Sequence, residues 1–185
     1  VTSKYLSAEL FGYYSIASIL SQIPIMVVIP IVIAVFPLLS QYVSQNDTEA
    51  IIKNFHKSSF TITLVAAPLA FCIAWYSVPL VTLWTGMPKA AQVVDYVVKM
   101  LVIGGFFLCL QLTPFYLALA NGFTKINLYT AIGGLTVVIP LMIYSIKHYG
   151  MLGATFPWVI INLINFFIIG LYVTNKFLAG HAVKW

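Results

Sequence analysis

The chain has 185 residues, 62% hydrophobic and only 7% charged, and its net charge of +5 comes from nine lysines, no arginine and four acids. A soluble domain carries roughly 25% charged residues, so water is excluded as the solvent and an all-α, polytopic transmembrane helix bundle is expected. The lysines stand singly at span ends, which argues against nucleic acid as a partner; the two cysteines and three histidines are too scattered for a metal site.

No secretory leader precedes the first apolar stretch, and residue 1 is Val; the sequence is therefore expected to be a piece of a longer chain. Val1–Phe11 is expected to be a short loop after the tail of an earlier helix. The uncharged run that follows predicts a long span over 13–41, hinged at Pro24 and Pro30 and closing near Pro37. On it Ser15, Ser18 and Gln22 share a face, to hydrogen-bond a neighbouring helix or line a cavity; inter-helix bonding is the plainer expectation. Asn46, Asp47 and Thr48 ahead of Glu49 are a helix start, expected as an interfacial turn leading into a second span over 58–84. Trp75, Tyr76 and Trp84 gather toward the far end of that span, as an aromatic belt would.

The third span, 96–121, is the most informative. Asp95 and Lys99 lie four apart at its mouth and are expected to pair; a sharper reading has Lys99 projecting into a cavity to meet an anion. No charge follows until Lys125, enough chain at about 1.5 Å per residue to cross a core of roughly 30 Å. Gly104, Phe107, Gln111, Pro114, Ala118, Asn121 and Lys125 fall on one helical stripe about 100° wide. Pro114 adds a third hinge. Helix packing is the plainer use of that stripe and substrate contact the bolder one.

After a turn at 121–127, a fourth span is predicted over 128–146 with Gly133, Gly134 and Pro140, and a fifth over 154–174. Trp158, Asn162 and Asn165 share a face of the fifth. Aromatic rings stack on the apolar faces of pyranoses and amides bond their hydroxyls, although two asparagines in lipid also serve to tie helices together. Alternating loops put Lys53, Lys57, Lys125, Lys176 and Lys184 on one side, against Lys4, Lys89, Lys147 and Lys99 on the other. That bias predicts a cytoplasmic C-terminus. No nucleophile–base set, phosphate loop or carboxylate cluster points to an enzyme, and no cofactor or metal is expected.

Five segments in order carry a resemblance: ELFGYYSIASIL, AVFPLLSQYVSQND, VTLWTG, PFYLALANGFTKINL and YGMLGATFPWVIIN. With them the chain resembles the polysaccharide flippases, the O-antigen transporter branch of the MOP superfamily, which also holds the MATE drug exporters and lipid II flippases. The resemblance covers nearly the whole sequence and implies the C-terminal lobe of a two-lobe transporter: the end of one helix plus five spans over residues 1–185. It implies flipping of an isoprenoid-diphosphate-linked oligosaccharide across the bacterial inner membrane by alternating access. Implied partners are that lipid, the bilayer, an N-terminal lobe, and the polysaccharide polymerase and chain-length machinery. Candidate substrate contacts are Gln22, Lys99, Gln111, Asn121, Lys125, Asn162 and Asn165. The alternative is a MATE-like cation-coupled exporter, against which stands the lack of an acid within the expected spans.

Overall fold

The structure, a computed structural model, describes residues 5–178, Asn127 as backbone only. The described residues form α1 (Ala8–Ser21), α2 (Ile23–Ser44), α3 (Thr48–Trp75), α4 (Ser77–Thr85), α5 (Pro88–Ala120), α6 (Lys125–Gly153) and α7 (Phe156–Phe177), with no strand among them. Among the described residues five helical stretches are long and apolar enough to cross a bilayer: Ala8–Ser44, Thr48–Trp75, Pro88–Ala120, Leu128–Gly153 and Phe156–Phe177. The chain is an all-α integral membrane bundle.

Local chemistry sets the helix ends, and several lie away from where the sequence put them. Residues 8–11, expected as loop, open α1, because the Ser7 hydroxyl accepts from the Leu10 amide at 3.3 Å and caps the first turn. The first span breaks at Gln22, just ahead of the expected Pro24. Pro24 has no N–H for the Leu20 carbonyl, and the Gln22 amide turns back to Ile19 at 3.2 Å. Beyond it, α2 stays helical through Pro30 and Pro37 to Ser44. Asp47 caps α3 through the Ala50 amide at 2.9 Å; the helix then runs without interruption to Trp75, so the expected interfacial turn is its opening. A second break at Tyr76, ahead of Pro79, makes the aromatic end a separate helix, α4. At the far end of α6, Gly150 takes φ 58° and ψ −134°, a conformation an L side chain resists. It folds Gly153 so tightly against the Ser145 carbonyl that a β-carbon has no room there.

Packing is organised around α5, which meets every other helix. Three apolar layers stack along its length. Val94, Val97, Val98 and Leu101 pack with Ala17, Leu20, Ile73 and Val81 at one end. Cys109 packs with Val28, Val32, Ile62 and Ala66 in the middle, and Leu117 and Ala118 pack with Phe55, Ile126, Ile169 and Val173 at the other end. Van der Waals fit, rather than water exclusion, holds such layers together in lipid. By contrast α6 packs mainly on α7, and Leu128, Ile132, Leu135, Val137 and Ile139 all remain exposed.

The third layer gathers the start of α3, the end of α5, the start of α6 and the end of α7, so Lys53, Lys57, Lys125 and Lys176 share one end of the bundle. Lys89 and Lys147 belong to the opposite helix ends; Lys4 and Lys184 lie outside the described residues, as does His181.

Candidate functional site

Two adjacent glycines let two helices close on α5. A β-carbon on Gly104 would sit 2.5 Å from Trp158 Cδ1, and one on Gly105 would sit 3.3 Å from the Ser21 carbonyl oxygen. Gly104 therefore admits the α7 indole, and Gly105 admits the α1 backbone. Between them opens a cavity of about 280 Å³ lined by Tyr14, Ser18, Ser21, Gln22, Gly105 and Trp158 among others. Three hydroxyls, an amide and two aromatic rings bring polar groups into this pocket of an apolar bundle.

The hydroxyls and amide of α1 do not reach another helix, contrary to expectation. Ser15 donates to Phe11 at 2.8 Å, Ser18 to Tyr14 at 2.8 Å, and the Gln22 amide nitrogen to Ser18 at 3.1 Å, all carbonyls of their own helix. A polar side chain without a partner helix in lipid satisfies itself on the preceding turn. Gln22 itself is exposed and lines the pocket.

Leu108, one turn further along α5, lines this pocket and also a second one of about 190 Å³. The second pocket holds Gln111 of α5, Asn162 and Asn165 of α7, and Thr130 of α6. Gln111 and Asn162 are 4% and 3% exposed, and they bond across the helices, Gln111 Nε2 donating to Asn162 Oδ1 at 3.0 Å. Asn162 in turn donates its own amide hydrogen to the Trp158 carbonyl at 2.8 Å. An inter-helix amide bond in a membrane is worth about 0.6 kcal/mol on average and up to about 1.7; an amide left alone there would be destabilising by more. The pair therefore does tie α5 to α7. It also fixes the floor of a pocket that Asn165, half-buried, faces from one turn on.

The remaining sequence candidates lie elsewhere. Lys99 is bonded to Asp95 Oδ2 at 2.7 Å, and Asp95 Oδ1 accepts from the Ser77 hydroxyl of α4. This cluster clamps α4 onto α5, and Lys99 lines neither pocket. Because α5 begins at Pro88, Asp95 is an acid inside a long membrane helix, not at its mouth. Asn121 donates back to the Leu117 carbonyl at 2.8 Å at the end of α5, and Lys125 is exposed at the start of α6. The structure thus unites Gln111, Asn162 and Asn165, sets Gln22 in the adjoining pocket, and leaves Lys99, Asn121 and Lys125 apart. Tyr14 and Ser21 escaped the sequence reading; the spacing of Tyr14, Ser18 and Ser21, four and three, was the signal. Among the described residues no group of three or more His, Cys, Asp or Glu could hold a metal ion.

A family model described as "Polysaccharide biosynthesis protein" matches residues 1–88, which include α1 to α4. The chain is also 28% identical over 162 residues to the "Putative O-antigen transporter" of Shigella flexneri, an alignment covering 85% of this chain and 37% of that relative. Together these support a polysaccharide flippase-type protein. No solved structure matches the chain. The chain thus spans little more than a third of the length of that relative. The matched region ends where α5 begins, so the amide pair on α5 and α7 lies beyond the family model and rests on the geometry above.

Proposed function

We propose that this chain forms one lobe of a transporter that moves an isoprenoid-diphosphate-linked oligosaccharide, an O-antigen or similar surface repeat unit, across the bacterial inner membrane by alternating access. The observation that carries this reading is the buried Gln111–Asn162 pair, which lines one of two adjoining pockets that bring amides and hydroxyls into an otherwise apolar bundle. Trp158 and Tyr14 offer ring faces to a pyranose, while Ser18, Ser21, Gln22 and Asn165 offer bonds to its hydroxyls. Weak, distributed contacts of this kind suit a carrier, which must release its cargo on the far side. The match to a relative named as an O-antigen transporter supports the same substrate class.

In this reading a second lobe of a longer chain closes the open side of the groove, and it supplies much of the cationic site for the diphosphate. Lys99 is already engaged by Asp95, and lysine lacks the fork with which arginine grips phosphate. Asn121 and Lys125 then serve the entrance at the end rich in lysines, which the positive-inside rule places in the cytoplasm with the C-terminus. The polymerase and chain-length machinery that receive flipped repeat units are the expected protein partners. Neither comparison points to a MATE-like exporter.

Deletion of the full gene tests the proposal. The expected result is loss of surface polysaccharide, with lipid-linked repeat units accumulating on the cytoplasmic face. Undiminished polysaccharide on the surface of the deletion strain overturns it.

A further inference from the structure

The helix least involved in the bundle has a cleft of its own. Between α6, from Ile126 to Val137, and α7, from Ile161 to Tyr172, lies a cavity of about 430 Å³ with an almost wholly apolar lining. Each wall runs over twelve residues of helix, eleven rises of about 1.5 Å, so the cleft is roughly 16 Å long, near half the thickness of a bilayer core of about 30 Å. Gly133 and Gly134 face it, and a β-carbon on either would meet nothing within 4 Å. These glycines are therefore not there to let a neighbouring helix approach; their missing side chains leave the cleft open.

Among the described residues, a lysine of α7 stands at the mouth. Lys176 Nζ lies 4.3 Å from the centre of the Phe123 ring and donates to the Tyr172 hydroxyl at 3.2 Å, and both rings line the cleft. Ring faces hold the ammonium by their quadrupole without neutralising it. Among the described residues Lys176 forms no ion pair. Exposed Lys125 belongs to the same end of the bundle, as do Asp47 and Glu49 at the start of α3, but no acid lines the cleft. An apolar slot about one leaflet deep with an unneutralised ammonium at its interfacial end complements a lipid whose headgroup is a phosphate.

The cleft also has an inner opening. Thr130, Asn165 and Ile169 line both it and the amide pocket of Gln111 and Asn162. A resident structural lipid would have no use for a passage into a polar groove, whereas a lipid-linked sugar would. We infer that the α6–α7 cleft is the loading site for the isoprenoid chain of the transported lipid, with its phosphate held by Lys176, and that Asn165 stands at the inner opening, where the cleft meets the amide pocket. This rests on the transport reading above and assigns the tail and phosphate positions within it.

The test uses the full-length protein in vesicles of phosphatidylcholine with a long-chain polyprenyl phosphate carrying a diazirine near its phosphate-distal end, adducts being mapped by mass spectrometry. Adducts should concentrate at 126–137 and 161–172, and Gly133→Leu with Gly134→Leu, which fill open space, should reduce them about tenfold. Lys176→Gln, at an exposed site, should weaken capture of the phosphate probe about tenfold yet leave capture of the uncharged polyprenol unchanged. Adducts elsewhere, equal capture of the phosphate probe by Lys176→Gln, or displacement of the probe by equimolar phosphatidylglycerol would each overturn the assignment. Surface polysaccharide measured in the deletion strain keeps the two readings apart. Dependence on the gene without cleft adducts overturns only the loading site, whereas cleft adducts without that dependence overturn the transport reading.

Discussion

Helices α5 and α6 carry the same sequence devices and put them to opposite uses. Each is a long apolar helix with a glycine pair and one proline after it: Gly104, Gly105 and Pro114 in one, Gly133, Gly134 and Pro140 in the other. On α5 the glycines are filled from outside, by an indole and by a backbone carbonyl, and the helix is the hub of the bundle. On α6 they meet nothing, and the helix leans mainly on α7. A glycine pair in a membrane helix thus records that space was needed there; only the surroundings tell whether the space serves a helix or a cavity.

Substitutions at matched positions put numbers on that contrast. Gly104→Val should be the most damaging, lowering stability by about 3 kcal/mol as the new side chain meets Trp158. Gly134→Val, the matching change on α6, should leave thermal unfolding in detergent unaltered. Equal losses from the two would erase the distinction between hub and periphery. Next in size, Asn162→Leu should destabilise by about 1–2 kcal/mol, because Gln111 is left buried without its acceptor. Adding Gln111→Leu should recover part of the loss, and a double-mutant cycle reads the coupling directly. Smaller again, Gly133→Ala should stabilise by up to about 1 kcal/mol through helix propensity alone, since nothing opposes its β-carbon. The smallest effect is expected at Thr113, whose hydroxyl is buried without a partner. Thr113→Val should be neutral or stabilising by about 1 kcal/mol at most.

Much of this was legible in advance, for a plain reason. Bilayer thickness and the scarcity of charge set the number and type of the helices, and both are written in composition. The stripe on α5 was legible too, because a regular helix carries Gly104, Gln111, Pro114 and Ala118 to one side, and all four are buried. Which neighbour each would meet was not. Gln111 and Asn162 are 51 residues apart in sequence, and nothing local shows that one bonds the other while Ser18 and Gln22 turn back on their own helix. Proline positions misled in a physical way. Five prolines sit inside continuous helices, whereas Pro24 and Pro79 interrupt the chain two and three residues upstream, where the carbonyl each cannot serve begins to strain. The cleft on α6 was hidden for another reason, since its walls are ordinary lipid-facing residues and only the antiparallel placement of α7 turns them into a slot.

The interruption at Gln22 has a mechanical meaning. It divides the first crossing into a segment that lines the Tyr14–Ser18–Ser21 pocket and a segment locked by Val28 and Val32 into the middle layer. Since Ala17 and Leu20 hold the first segment in the first layer just as firmly, the joint lets each half of the crossing take its own angle against α5, and the wall of the pocket is set independently of the middle layer.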